Sequence, residues 1–205
     1  MRLLLVRHGQ TDWNLERRIM GASPVPLNAL GEQQAAQLRD ALQGYDIHHI
    51  YTSPIHRAFQ TAQILNQAFQ IPVLPHDELA EVGYGTYVGK TFTEIKKSPD
   101  YQTYFLNPQL PVAPEGESLQ QVQDRMWQFW LKMKTLHPND NLLVVSHSDT
   151  IKSLLIKILG IDFSKMVQMR IDHATVSLLE AEKGSDRVLA MNMGPHFGEL
   201  LKKKS

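Results

Sequence analysis

Arginine and histidine side chains follow three short apolar runs of the chain, and their chemistry suits a phosphate group. Arg7 and His8 come directly after the first run. Arg57 follows the second run, and His147 follows the third. Guanidinium groups match the geometry of a phosphate, and a neutral imidazole can attack phosphorus to form a covalent phosphohistidine. The pattern therefore indicates an anion site that contains a nucleophilic histidine.

These residues suit different steps of a phosphoryl transfer. Nearby arginines disfavour a protonated imidazole, which keeps His8 nucleophilic near neutral pH. A charged His147 would donate hydrogen bonds to the equatorial oxygens on phosphorus. An alcohol leaving group also needs a proton, and we expect a carboxylic acid outside the arginine cluster to supply it. Taken singly, each residue is more typical of an ordinary core or surface position, so the prediction depends on their convergence.

Strands that alternate with helices must bring these side chains together. Continuous apolar runs predict buried strands, and a strand–turn–strand pattern near the end adds a hairpin. These strands are 3–6, 50–52, 142–145, 175–179 and 187–191. Apolar residues at helical spacing predict helices between them. These helices are 30–42 with Asn28 as N-cap, 54–69 with Ser53 as N-cap, 118–133 and 150–159.

This alternation predicts an α/β fold with three layers, α/β/α, around a mainly parallel central sheet. Because the carboxyl ends of parallel strands meet at one edge of a sheet, the four side chains are expected there. The segment 83–114 fits the alternation poorly and is predicted to be a small insertion beside the active site. Its aromatic residues form either a local core or a lid over an apolar leaving group. They are Tyr84, Tyr87, Phe92, Tyr101, Tyr104 and Phe105.

The composition restricts the classes of function. A chain of 205 residues is expected to form a single domain, 1–205. The 21 Lys and Arg residues balance the 21 Asp and Glu residues, which argues against a nucleic-acid partner. Cysteine is absent, which excludes thiolate nucleophiles and cysteine-held metals. No two histidines have the His-x-x-x-His spacing, so we expect neither a metal nor another cofactor.

The apolar segments are all short. No stretch approaches the roughly 18 apolar residues of a membrane span, and the run 3–6 is too short for the core of a signal peptide. We therefore expect a cytoplasmic protein without a membrane partner. A homodimer is compatible with a chain of this size.

Six segments of the chain resemble the histidine phosphatase superfamily, also called the phosphoglycerate mutase-like family. The segment 7–14, which reads RHGQTDWN, is similar to the N-terminal signature of that family. The other segments follow in the order of the family. They are 21–35, 51–62, 79–89, 114–118 and 145–151.

The resemblance implies the fold of that family and a metal-independent phosphatase of the histidine acid type. It implies that His8 is the nucleophile and that Glu81 donates and later accepts the proton. Arg7, Arg57 and His147 would form the phosphate pocket. The implied contacts to the substrate, a small phosphorylated metabolite, are Thr11, Asn14, Gly21, Tyr84 and Ser148.

One departure from the family pattern follows His147. Members usually carry glycine there, whereas this chain has Ser148 and Asp149. Glycine lets the backbone approach a phosphate closely. The Ser148 hydroxyl can donate a hydrogen bond instead, although it narrows the pocket. We interpret Asp149 as the cap of the helix that begins at Thr150 rather than as a catalytic group.

The family contains both hydrolytic phosphatases and phosphoglycerate mutases. The mutases typically carry adjacent arginines in the insertion and a basic residue after the catalytic glutamate. Here the segment 82–113 contains no arginine, and Val82 follows Glu81. The sequence therefore favours hydrolysis, with a phosphoglycerate mutase-type phosphotransferase and a catalytically silent phosphate-binding module as the alternatives.

Overall fold

The computed structural model describes residues 1–99, 101, 107–182 and 184–195. Its six strands form one sheet in the order β3-β2-β4-β1-β5-β6. The strands are β1 (Arg2–Arg7), β2 (His49–Thr52), β3 (Val73–Pro75), β4 (Asn141–Ser146), β5 (Val176–Glu182) and β6 (Ser185–Met193). The pairs among β3, β2, β4 and β1 are parallel, and β5 runs antiparallel to both of its neighbours. The prediction of a mainly parallel sheet is confirmed.

Helices cover both faces of this sheet, which confirms the three-layer arrangement. They are α1 (Asp12–Leu15), α2 (Ala29–Ala41), α3 (His56–Asn66), α4 (Phe92–Ile95), α5 (Leu119–Leu136) and α6 (Ser148–Leu159). On one face, Leu38 of α2 and Ala62 of α3 pack in a cluster with Leu4 of β1. On the other face, Trp130 of α5 and Leu154 of α6 pack with Leu5. Successive residues of β1 thus point into opposite layers, as the pleat of a strand requires.

No helix in the described part of the chain is both long enough and apolar enough to cross a membrane.

Local capping explains where several helices begin. Asn28 accepts a hydrogen bond from the Gly31 backbone N–H at 2.9 Å and is the N-cap of α2, as predicted. Ser118 and Gln121 form the capping box that begins α5. The start of α3 differs from the prediction, because Ile55 keeps an extended backbone with ψ 131° and the helix begins at His56.

One strand of the sheet was not expected from the sequence. The edge strand β3 was absent from the prediction because it has only three residues, and Pro72 and Pro75 interrupt the strand pattern there. In the described part of the segment 83–114, Tyr87 and Ile95 belong to a hydrophobic cluster separate from the two that cover the sheet. Two aromatic residues of that segment, Tyr104 and Phe105, lie outside the described residues.

The loop after β1 is held against the start of α2 by two glycines. A Cβ on Gly31 would lie 2.0 Å from the Gln10 carbonyl oxygen, and a Cβ on Gly9 would lie 2.5 Å from that of Gly31. Both distances are steric clashes, so only glycine permits this approach. The Gly9 N–H also donates to Thr61 Oγ1 at 3.1 Å. The backbone that follows His8 is therefore fixed by contacts from two helices.

Candidate active site

His8 is buried at the carboxyl end of β1 in one defined tautomer. Its Nδ1 lies 2.7 Å from the Gly9 carbonyl oxygen. Because a carbonyl can only accept, Nδ1 carries the proton. Its Nε2 accepts a hydrogen bond from Arg57 Nε at 3.2 Å, so the lone pair is on Nε2. Burial, with the charges of Arg57 and Arg7, holds the pKa of His8 well below its ordinary value, which keeps the ring neutral.

Arg57 and Arg7 bring two positive charges to His8. Arg57 is 0% exposed and also donates to the carbonyl oxygens of Gly21 at 2.9 Å and Ser23 at 3.3 Å. Burial lowers its pKa to about 10, so it stays charged at neutral pH. Arg7 donates to the Ile171 carbonyl oxygen at 2.6 Å. In the described ranges, neither guanidinium forms an ion pair with a carboxylate.

His147 follows β4 and lies close to His8, with ring centroids 5.1 Å apart. Its Nε2 lies 2.8 Å from Ser53 Oγ, which positions the ring from the end of β2. Burial and the charge of Arg57 lower the pKa of His147 well below its ordinary value. The expectation of a charged His147 therefore does not hold for the site without an anion. A phosphate dianion would favour the protonated ring.

Three buried nitrogen atoms around His8 have no hydrogen-bond partner. Among the described residues, they are the buried side-chain nitrogen and oxygen atoms left in this state: Arg7 Nε, His147 Nδ1 and His173 Nε2. Leaving a buried polar atom unpaired costs about 1–3 kcal/mol. The cost is removed when an acceptor enters, and a phosphate offers several oxygens. Arg7 Nε carries a proton, and His147 Nδ1 carries one when the Ser53 hydroxyl donates to Nε2. Both donors then favour an anion beside the His8 ring.

A cavity of about 190 Å³ opens above these residues. Its lining combines charged side chains, from Arg7, Arg18, Arg57, Glu81, Asp149 and Lys152, with uncharged ones. Tyr84 and Phe92 of the insertion lie in its wall. Both also line a smaller apolar cavity of about 30 Å³ that they share with Tyr87 and Tyr101. The insertion therefore contains a local core and also faces the cavity.

The predicted substrate contacts fall into two groups. Asn14, Gly21, Tyr84 and Ser148 line the cavity. Thr11 is 0% exposed, and its hydroxyl caps α1 and lies 3.0 Å from Asn14 Oδ1. Thr11 therefore orients Asn14, and the structure places it outside the cavity wall.

Glu81 lies in the cavity wall with a carboxyl group suited to proton transfer near neutral pH. Its Oε1 accepts from the Val82 N–H at 3.1 Å and from Thr150 Oγ1 at 3.4 Å. Burial first, and then the negative charge of Asp149, raise its pKa to about 7, against the opposing effect of Arg57. A carboxyl group with this pKa can donate a proton and take one back at neutral pH.

Arg125 on α5 holds the segment that presents Glu81. Its guanidinium binds both carboxylate oxygens of Glu117, at 2.8 Å and 3.0 Å. It also donates to the carbonyl oxygens of Glu78 at 2.7 Å and Glu81 at 3.2 Å. Glu117 in turn accepts from the Gly83 N–H at 3.2 Å. The sequence did not predict these contacts, because Arg125 lies 47 and 44 residues from Glu78 and Glu81 in the chain.

Asp149 does not cap a helix, so that prediction is wrong. Helix α6 begins at Ser148, which places Asp149 inside the first turn. Its carboxylate accepts a hydrogen bond from Tyr84 Oη at 2.5 Å and lies 3.5 Å from Lys152 Nζ. The side chain therefore faces the cavity, where its charge acts on Glu81.

His173 is a third histidine near the site that the sequence analysis missed. Its ring centroid lies 6.0 Å from that of His8. Burial and the charge of Arg7 lower its pKa to about 3, so it is neutral. It precedes Ala174, whose N–H donates to the Arg7 carbonyl oxygen at 3.0 Å. In the described residues, the side chains grouped closely enough to hold a metal lie elsewhere, at His49, His137 and Asp140.

Known proteins resemble this chain over nearly its whole length. The family model described as histidine phosphatase superfamily (branch 1) matches residues 3–194. The chain is 32% identical to the uncharacterized phosphatase PhoE of Bacillus subtilis, over 97% of both chains. It is 30% identical to the probable phosphoglycerate mutase GpmB of Escherichia coli, over 89% of this chain and 86% of that one.

A solved structure shares the fold. A mutant phosphoserine phosphatase of Entamoeba histolytica, in complex with phosphoserine, superposes with a TM-score of 0.86 and 26% identity. The match covers 93% of this chain and 96% of that one. The resemblance noted in the sequence is confirmed.

Replacing Asp149 tests the origin of the high pKa of Glu81. Because the Asp149 charge opposes ionisation of Glu81, Asp149→Asn should place the pKa of Glu81 between its ordinary value of 4.5 and about 7. Carbon-13 NMR titration of the Glu81 carboxyl group measures this directly. Asp124→Asn, an exposed change on α5, is the control and should leave it unchanged. An unaltered titration in Asp149→Asn would show that burial alone sets the pKa.

Proposed function

Because the chain belongs to branch 1 of the histidine phosphatase superfamily, we propose that it hydrolyses a small phosphomonoester through a covalent phosphohistidine on His8. The observation that carries the proposal is the fixed neutral tautomer of His8. Its Nε2 lone pair lies beside Arg57 Nε at 3.2 Å, and the buried Arg7 Nε and His147 Nδ1 lack partners. A phosphoryl group fits there because its oxygens accept hydrogen bonds from Arg7 and His147, and its phosphorus is the electrophile that Nε2 attacks.

In the first step the phosphoryl group passes from the substrate to His8. Phosphate oxygens accept hydrogen bonds from Arg7, Arg57 and His147, and the Arg57 Nε–H turns from His8 to the phosphate. The freed Nε2 lone pair attacks phosphorus, an N–P bond forms and the P–O ester bond breaks. The leaving oxygen takes the proton of Glu81, so the alcohol departs neutral.

In the second step water removes the phosphoryl group. The Glu81 carboxylate accepts a proton from the attacking water, an O–P bond forms and the N–P bond breaks. Inorganic phosphate and neutral His8 are released, and Glu81 is again protonated. No step needs a metal ion, since the two arginines and His147 stabilise the charge on the transferring group.

The cavity supports a small phosphorylated metabolite as substrate. Its volume of about 190 Å³ suits a leaving group of a few heavy atoms. Arg18 and Lys152 at its wall favour an anionic substituent, whereas Tyr84 and Phe92 offer apolar contact. We place the enzyme with the metal-independent phosphatases of the histidine acid type, acting in the cytoplasm. Light scattering would decide between a monomer and a homodimer.

A phosphoglycerate mutase is the second candidate, since one relative carries that name at 30% identity. A mutase must keep the phosphohistidine from water and hold a small carboxylate substrate. The segment 82–113 contains no arginine for that carboxylate. Val82, next to Glu81, is 0% exposed and packs in a hydrophobic cluster. These features favour hydrolysis.

Replacing the nucleophile tests the covalent mechanism. His8→Ala should abolish labelling of the protein by a phosphorus-32 substrate and lower kcat/KM at least about 10³-fold. The wild-type enzyme should retain full activity in the presence of a chelator. His56→Gln, an exposed change on α3, is the matched control. Activity in His8→Ala, or loss of wild-type activity with the chelator, would overturn the mechanism.

Replacing Glu81 tests the proton transfer. Glu81→Gln should slow hydrolysis of an alkyl phosphate about 10²–10⁴-fold and of an activated aryl phosphate much less, because the aryl oxide leaves without protonation. In the wild type, alkyl phosphate turnover should fall as pH rises through about 7, where Glu81 loses its proton. Glu32→Gln on α2 is the control. Equal losses on both substrates would contradict this role.

Supplying 3-phosphoglycerate distinguishes the two candidates. Hydrolysis releases inorganic phosphate, whereas a mutase yields 2-phosphoglycerate. We expect phosphate as the dominant product of any turnover, measured by phosphorus-31 NMR. Dominant 2-phosphoglycerate would establish the mutase. Absence of turnover across a panel of phosphomonoesters, with vanadate still bound, would instead indicate a silent phosphate-binding module.

A further inference from the structure

His49, His137 and Asp140 meet at the sheet edge opposite the phosphate site. His49 begins β2, His137 follows α5, and Asp140 immediately precedes β4. His49 Nε2 lies 3.1 Å from Asp140 Oδ2, and His137 Nδ1 lies 3.2 Å from the same oxygen. One ligand atom from each residue falls within 4.8 Å of the other two. The cluster thus joins the amino ends of two central strands.

These separations match a tetrahedral zinc site. Ligand atoms at the usual zinc distances of 2.0–2.2 Å are roughly 3.3 Å apart in a tetrahedron. The two nitrogen–oxygen distances differ from this value by only 0.1–0.2 Å, roughly. The imidazole centroids of His49 and His137 lie 3.9 Å apart, and both rings direct a nitrogen at the same Asp140 oxygen. Two histidines and one carboxylate also form a ligand set that zinc prefers.

Tyr51 supplies the outer contact that a ligating histidine needs. Its hydroxyl lies 2.8 Å from His137 Nε2, the nitrogen that faces away from Asp140. When Nε2 donates its proton to Tyr51, the Nδ1 lone pair is available to a metal. Tyr51 is itself buried and packs edge-on against Phe129, with centroids 5.7 Å apart. The orientation of His137 is therefore set by the core.

We propose that His49 Nε2, His137 Nδ1 and the Asp140 carboxylate bind one Zn²⁺ ion, with water as the fourth ligand. The side chains of His49 and Asp140 are 34% and 33% exposed, so solvent reaches the fourth position. His48 takes no part, because its Nδ1 accepts from the Asn141 N–H at 3.0 Å. The ion ties the turn before β4 to the start of β2.

The site acts on stability rather than on turnover. Strand β2 separates His49 from Ser53, which contacts His147; four residues of strand span roughly 13 Å. Zinc bound at this distance does not contact the phosphoryl group. Loading and removal of zinc should therefore change the melting temperature while kcat stays constant. The melting temperature therefore reports on the zinc site, and kcat reports on the phosphatase mechanism.

Titration of the chelator-treated protein with Zn²⁺ alone tests the proposal. Calorimetry should show one ion per chain, and the melting temperature should rise to a plateau as the site fills. His137→Gln and Asp140→Asn should each weaken binding more than about tenfold, and Tyr51→Phe should weaken it about tenfold. Circular dichroism confirms that each variant is folded, and Asp140→Asn is the mildest of the changes.

Two controls make the result specific. His56→Gln removes an exposed histidine outside the cluster, and His8→Ala removes a phosphate-site histidine that can also attract zinc. Both should bind zinc with wild-type affinity. Unchanged affinity in His137→Gln and Asp140→Asn, loss of binding in His8→Ala, or no binding to the wild type would each overturn the proposal.

Discussion

Arg57 is a fully buried cation whose hydrogen bonds run to two backbone carbonyl oxygens and to His8, and to no carboxylate in the described residues. Burying a charge without a partner of opposite charge destabilises a fold. Burial, together with the charges of Arg57 and Arg7, also lowers the pKa of both His8 and His147. A phosphate that binds beside these groups offsets their charge and stabilises the native state.

Close backbone contacts hold the loop after β1, and with it His8, beside the two arginines. Gly9 and Gly31 approach too closely for any side chain, and Thr61 fixes the Gly9 N–H. Arg125 does the same for the opposite wall, where its bidentate pair with Glu117 also binds the Glu81 backbone. Two walls, one cationic and one acidic, are thus held independently. A chain of zero net charge thus brings the guanidinium groups of Arg7 and Arg57 and the carboxyl group of Glu81 to one cavity.

The sequence predicted the elements whose signals are local. Strands β1 and β4 are buried on both faces and therefore read as continuous apolar runs, and the capping box at Ser118 is visible over four residues. The carboxyl ends of these strands then brought His8 and His147 together. Arg125 with Glu117, His173 beside His8, and the cluster at Asp140 were missed, because each arises from contacts between segments that no spacing rule connects.

The negative charge of Asp149 has opposite effects on phosphate binding and on proton donation by Glu81. A negative charge in the cavity wall weakens attraction for a phosphate, yet the same charge raises the pKa of Glu81 to about 7. Tyr84 and Lys152 bind the Asp149 carboxylate, which reduces its repulsion of a phosphate, and the effect of Asp149 on the pKa of Glu81 persists in their presence. Removing the charge would therefore tighten anion binding and impair protonation of the leaving group. Asp149 at this position thus favours release of a poor alcohol leaving group over retention of phosphate, as suits a hydrolase.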